Sequence, residues 1–183
     1  MPDPKPMQMW LGSQARPDGS YGVAVHIGED VSWALSTDEA VRYAAALVAR
    51  AVEAEHDVAT VRLMQASGMP LEDAGLLLRE VRRDRGDNEG KRHVATHPLT
   101  VTPGVSLFTG APFLTVQHVG VEPWQWSPEE ARSHALGVLE AVAAAEEDTR
   151  TYRVLTGPSF GLADGLARRA VGSLGQHWPG ASS

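Results

Sequence analysis

Apolar residues alternate with small or polar ones from Tyr21 to Ile27, with Tyr21, Val23, Val25 and Ile27 on one face and Gly22, Ala24 and His26 on the other. A period of two is the signature of a strand. Gly28-Glu29-Asp30 predicts a turn, after which Val31, Trp33 and Leu35 alternate again. Upstream, Met7 to Leu11 reads as extended. Arg16-Pro17-Asp18-Gly19-Ser20 predicts a turn, with Pro presetting φ and Gly accepting φ > 0. These segments predict an antiparallel meander. The period then changes. Ala40, Ala44, Leu47, Ala51, Ala54, Val58 and Val61 fall at alternating steps of four and three, one stripe of a helix with no breaker until Gly68.

The same order returns downstream. Val105 to Phe108 and Phe113 to Val119 are the predicted strands, with Trp124 and Trp126 alternating before a second stripe of Ala131, Ala135, Val138, Val142, Ala145, Thr149 and Tyr152. That stripe ends at Gly157. Each long helix is predicted to run about 29 residues, or about 44 Å at 1.5 Å per residue. Shorter helices are predicted from Pro70-Leu71 and Gly161-Leu162. Both long helices open on a capping box, Ser36-Thr37-Asp38-Glu39 and Ser127-Pro128-Glu129-Glu130. In such a box the Ser hydroxyl accepts the amide three residues on and the Glu reaches back. Pro128 stands at the first helical position, where an N–H is not needed.

The recurrence extends to residue identity. At an offset of 91, Trp33 to Met64 faces Trp124 to Leu155, and 10 of the 32 pairs are identical, including Trp33/Trp124, Ser36/Ser127, Glu39/Glu130, Glu55/Glu146, Asp57/Asp148 and Arg62/Arg153. At an offset of 92, Tyr21, His26 and Gly28 face Phe113, His118 and Gly120. The pattern predicts an internal duplication. The expected organisation is a first unit at 7–82, a polar linker at 83–97 and a second unit at 98–178, forming one α+β domain. Its plan is an internally duplicated β-β-(β)-α-α unit with pseudo-two-fold symmetry, antiparallel strands and two long helices. Residues 1–6 and 179–183 are expected to be loose tails.

Composition narrows the function classes. The chain has 183 residues and no cysteine, which excludes disulfides, thiolate metal sites and cysteine nucleophiles. The N-terminus lacks the apolar core of a signal peptide and no apolar run has the length of a membrane span, so a cytoplasmic location is expected. The net charge is −7, with 10 basic against 15 acidic residues up to residue 91 and 6 against 8 after it. Neither half is basic, which argues against nucleic acid as the main partner.

Four patterns carry candidate chemistry. Gly157-Pro158-Ser159-Phe160-Gly161 fits the nucleophile-elbow consensus, with Asp164 and His177 following in order. The elbow needs a strand before it, whereas the repeat puts a helix there, so a helix stop is expected. His93 and His97 have ligand spacing but lie in the polar linker just before Pro98, so no metal and no cofactor are expected. His26 and His118, matched between units, are candidates to line one site. Glu55, Arg62, Glu146 and Arg153 are expected to form ion pairs between the two long helices. The stretch from Ala59 to Arg83 loosely has the outline of a helix-turn-helix, but its second helix opens on Glu72 and Asp73, so an ordinary helical hairpin is expected.

The meander running into Trp33-Ala34-Leu35-Ser36-Thr37-Asp38-Glu39-Ala40, followed by Ala54-Glu55-His56-Asp57, resembles small proteins of actinobacteria and their phages. Trp126-Ser127-Pro128-Glu129-Glu130-Ala131 repeats it. The resemblance implies no activity and carries no functional residue over. The expected role is non-catalytic: a binding or adaptor protein acting on another macromolecule, in phage–host interplay, with a protein partner or a homodimer. A DNA-binding regulator using the helical hairpins is the alternative, and a small serine hydrolase the third. Trp33, Trp124 and Trp126 stand where each sheet turns into a helix, and the Trp124 region is expected to be partly exposed as a protein-binding patch.

Overall fold

The computed structural model describes residues 9–28, 31–84 and 99–175. The described residues form an α+β arrangement of two three-stranded antiparallel sheets and four helices. The first sheet has the order β1-β2-β3, from β1 (Met9–Ala15), β2 (Tyr21–Ile27) and β3 (Val31–Leu35). Helices α1 (Thr37–Ala66) and α2 (Leu71–Asp84) follow. The second sheet has the order β4-β5-β6, from β4 (Leu99–Val105), β5 (Pro112–His118) and β6 (Trp124–Trp126), and precedes α3 (Pro128–Thr156) and α4 (Asp164–Gly175).

Both capping boxes form. Glu39 accepts the Ser36 N–H at 2.8 Å while Ser36 Oγ accepts the Glu39 N–H at 3.3 Å. The Ser127–Glu130 pair does the same at 2.6 and 3.1 Å. Every residue of the α1 stripe, from Ala40 to Val61, is buried. On α3 the stripe is buried from Ala131 to Ala145, and Thr149 and Tyr152 are half-buried.

Three expectations are corrected. Val105 to Phe108 is not a strand: β4 lies at Leu99–Val105, and Ser106 to Thr109 make the hairpin turn, where Ser106 Oγ accepts the amides of Phe108 and Thr109. Pro103-Gly104 looks like a breaker in the sequence, but β4 is an edge strand, and an edge tolerates proline because its nitrogen faces outward. Helix α4 begins at Asp164 rather than Gly161, because Gly161 has φ +58° and the Leu162 N–H bonds back to the Leu155 carbonyl. That left-handed glycine closes the turn that follows α3 instead of starting the next helix. Strand β2 is buried on both faces as far as Val25, so its sequence alternation does not become alternating exposure. The slot opposite Gly22 is filled by backbone: a Cβ there would come within 2.3 Å of the Leu35 carbonyl oxygen.

The chain forms two compact units that do not follow the sequence halves. One comprises residues 1–41 and 137–183, the other 42–136. Boundaries at 82/83 and 97/98 are therefore not the boundaries of these units; the expected linker lies largely outside the described residues, as do the tails and the Glu29-Asp30 turn. In the first unit Tyr21 of β2 packs with Ala145 of α3 and Val171 of α4, backed by Tyr152 and Leu155. In the second, Ala51 of α1, Leu114 of β5 and Ala131 of α3 meet beside Val101 and Trp126. There α1 and α2 also close on one another through Val61, Ala74 and Leu78, against Val105.

Candidate functional site

The second unit holds the two features with chemical character. The first is an aromatic cluster. Trp124 and Trp126 alternate on β6, so their rings share a face and meet edge-on at 6.0 Å. His134, in the second turn of α3, lies 5.0 Å from the Trp126 ring and 5.8 Å from the Tyr43 ring of α1. Tyr43 Oη and His134 Nε2 are 3.2 Å apart. Burial lowers the His134 pKa to about 4 and raises that of Tyr43. The imidazole is therefore neutral at pH 7 and the phenol keeps its proton, so the two share a neutral hydrogen bond. Trp124 Nε1 is buried with no hydrogen-bond partner among the described residues.

The second feature is a groove of about 690 Å³ where α1, α2 and β4 meet. Arg50 and Glu53 come from α1 and Arg79, Arg82 and Arg83 from α2, while β4 supplies Thr100, Thr102 and its backbone. Four arginines face one glutamate. Arg50 pairs with Glu53 at 2.5 Å. Arg82 is held by Asp57, the one buried charged residue among those described, and donates to the Pro103 carbonyl at 3.0 Å. Arg79 and Arg83 are exposed, and no acid pairs with either among the described residues. The groove therefore presents, beside a sheet edge, two cations that no described acid neutralises.

The residues singled out in the sequence scatter. His26 lies under Trp10, with rings 4.6 Å apart, in the first unit. His118 lies in the second, on the face shared with Leu114 and Val116. Their expected equivalence fails in register. Val25 pairs with Trp33 and Val116 with Trp124, so His26 is one residue past the reference pair and His118 two. One residue of slip turns a side chain to the opposite face of a sheet. Glu55 does join α1 to α3, but through Arg132 rather than a member of the expected set. Arg62, Glu146 and Arg153 make no ion pair among the described residues; Glu146 and Arg153 line an open groove of the first unit with Arg16 and Arg150. Trp33, Trp124 and Trp126 are all half-buried.

Ser159 sits on a turn that ends a helix, not on a strand-to-helix elbow. Asp164 accepts from Tyr152 Oη at 2.6 Å and from Arg168 Nε at 2.8 Å, and those two donors lower its pKa. Arg168 also donates to the Arg16 carbonyl at 2.9 Å, so the trio fastens the β1–β2 turn to α3 and α4. His177, His93 and His97 lie outside the described residues. Among the described residues no cluster has the make-up of a metal site, and no helix is long and apolar enough to cross a membrane.

Sequence reasoning missed His134 and the arginine groove. His134 faces Tyr43 at an offset of 91, a mismatch the identity comparison passes over. Arg79, Arg82 and Arg83 are indistinguishable in the chain, which cannot show that Asp57 on another helix neutralises Arg82 while no described acid pairs with Arg79 or Arg83. No family model, curated protein or solved structure matches the chain.

Proposed function

We propose that the protein is a non-catalytic binding protein, an adaptor that engages another protein through the groove beside β4. The observation that carries this reading is the pair of exposed arginines, Arg79 and Arg83, which no acid among the described residues neutralises, next to an edge strand. Exposed cations that no described acid neutralises contribute little to the fold, and they are the usual means of attracting an oppositely charged partner. The half-buried Trp124 and Trp126 belong to the same proposal, since aromatic side chains with one wet edge are favoured at interfaces. A regulator reading DNA through α1 and α2 has less support. Helix α2 opens with Glu72 and Asp73, and Arg82 is taken by Asp57. The resemblance of the capped meanders suggests a cytoplasmic role in phage–host interplay.

We further propose that the two β-β-β-α-α runs are diverged copies related by a pseudo-two-fold. Three observations support it. The β2–β3 and β5–β6 ladders share one register at an offset of 91. Both long helices leave the same positions exposed, Val48 with Leu139 and Leu63 with Val154. Tyr43 and His134, equivalent at that offset, touch each other, and equivalent positions meet only near a symmetry axis.

The test of the binding role places a photo-crosslinking amino acid at position 79 and, as a control, at the exposed position 140, in cells of the source organism. One saturable protein adduct from position 79, displaced by excess unlabelled protein, is expected. No such adduct, or the same adducts from both positions, overturns the reading.

A further inference from the structure

We infer that the groove takes an extended acidic segment of a partner protein, which adds as a short strand to the edge of β4 at Val101 and sets its carboxylates on Arg79 and Arg83. The inference rests on the binding role proposed above and names the chemistry of the occupant.

The phase of β4 comes from two bonds. Ser106 donates to the Ala111 carbonyl at 2.9 Å, which makes the even-numbered residues of β4 the ones bonded to β5. Pro103 carries no amide hydrogen, and its carbonyl accepts from Arg82 on the outer side. In an antiparallel ladder the N–H and C=O of one residue point the same way and alternate along the strand. Val101 therefore directs both its N–H and its C=O to the free edge. Helix α2 covers the later part of that edge, with Leu78 packed on Val105 and Arg82 on Pro103. Among the described residues the covering stops at Val101, and an adjacent donor and acceptor remain, the pair that an added strand satisfies.

Charge selects the kind of strand. Arg79 and Arg83 are four apart on α2, so they stand on one face of the helix, and both line the groove with Val101. Arg82 cannot compete for the ligand's carboxylates, because Asp57 holds it. A segment carrying a few carboxylates matches two local cations. A nucleic-acid strand matches them less well, since the chain as a whole is at −7 and repels a polyanion.

The experiment titrates the full chain into fluorescein-labelled peptides and follows anisotropy. The probes are a short peptide alternating Glu and Val, its Lys/Val counterpart, and labelled oligo-dT. Two further Glu/Val peptides carry backbone N-methyl groups on the Glu residues or on the Val residues. The Glu/Val peptide is expected to bind, Arg79→Glu with Arg83→Glu to weaken it about tenfold or more, and only one of the two N-methyl sets to abolish binding. Both arginines are exposed, so the double variant should keep the wild-type circular dichroism and thermal midpoint; if it does not, Arg79→Gln with Arg83→Gln replaces it. Equal binding of the Lys/Val peptide, tighter binding of oligo-dT, or no difference between the N-methyl sets overturns the inference. If the peptides fail while position 79 still yields its adduct, the occupant is wrong and the binding role stands. If both fail, both fall.

Discussion

Protonation of His134 should destabilise the protein by an amount the structure allows one to work out. The ring is enclosed by Trp126 and Tyr43, and burial lowers its pKa from the ordinary value of 6.5 to about 4. Above pH 6.5 the imidazole is neutral in both folded and unfolded chains and the group is neutral to stability. Below it, the unfolded chain takes up a proton that the folded chain refuses, so stability falls by about 1.4 kcal/mol per pH unit. The fall stops near pH 4, where the folded chain is protonated too. The whole loss is about 3 kcal/mol, a large share of the 5–15 kcal/mol typical of a domain. Other groups titrate in the same range, so the measurement is a difference. Urea unfolding of wild type and His134→Gln, followed by far-ultraviolet circular dichroism, is compared from pH 7.5 down to about pH 4.5. The glutamine keeps an amide that hydrogen-bonds Tyr43 in either direction and does not titrate. The gap between the two stabilities should shift against wild type by about 2–3 kcal/mol over that range. A gap constant to within about 0.5 kcal/mol would refute the half-buried, neutral imidazole.

Three further outcomes follow from the packing. Asp57→Ala leaves the Arg82 guanidinium without its counter-ion and should cost about 2–4 kcal/mol in denaturant unfolding, whereas Glu147→Ala, which breaks an exposed pair with Arg150, should cost under about 0.5 kcal/mol; similar costs would show that the Asp57 pair is not structural. Trp124→Phe removes an indole N–H that has no partner among the described residues and should lie within about 1 kcal/mol of wild type, while Trp124→Ala, which empties the site, should cost about 3 kcal/mol or more. Equal losses would show that the N–H is bonded after all. Gly22→Ala drives a methyl into the Leu35 carbonyl and should cost about 1–3 kcal/mol, where the same change at Gly165, with open space around it, should be far milder. A harmless Gly22→Ala would mean that the β2–β3 approach is looser than described.

Much of the local structure was legible because its causes are local. A period of two gives β2 and β3 to the residue, a four-three stripe gives the buried line of α1, and a Ser three residues before a Glu gives both helix starts. β4 was not legible, because Pro103 breaks a strand everywhere except on an outward-facing edge, and only the assembled sheet says which strand is the edge. The same limit hid the candidate site. Arginines at 79, 82 and 83 look alike in the chain, and what separates them is Asp57, some 25 positions away on another helix. His134 shows it from the other side, since its acidity is set by Tyr43 and Trp126, which no nearby residue announces. The sequence by itself determined periods, caps and turns, each an energy that neighbouring residues decide among themselves. Which edge stays open, which charge is neutralised and which ring is dried were decided only by the tertiary structure, because desolvation and Coulomb energy depend on distance in space rather than along the chain.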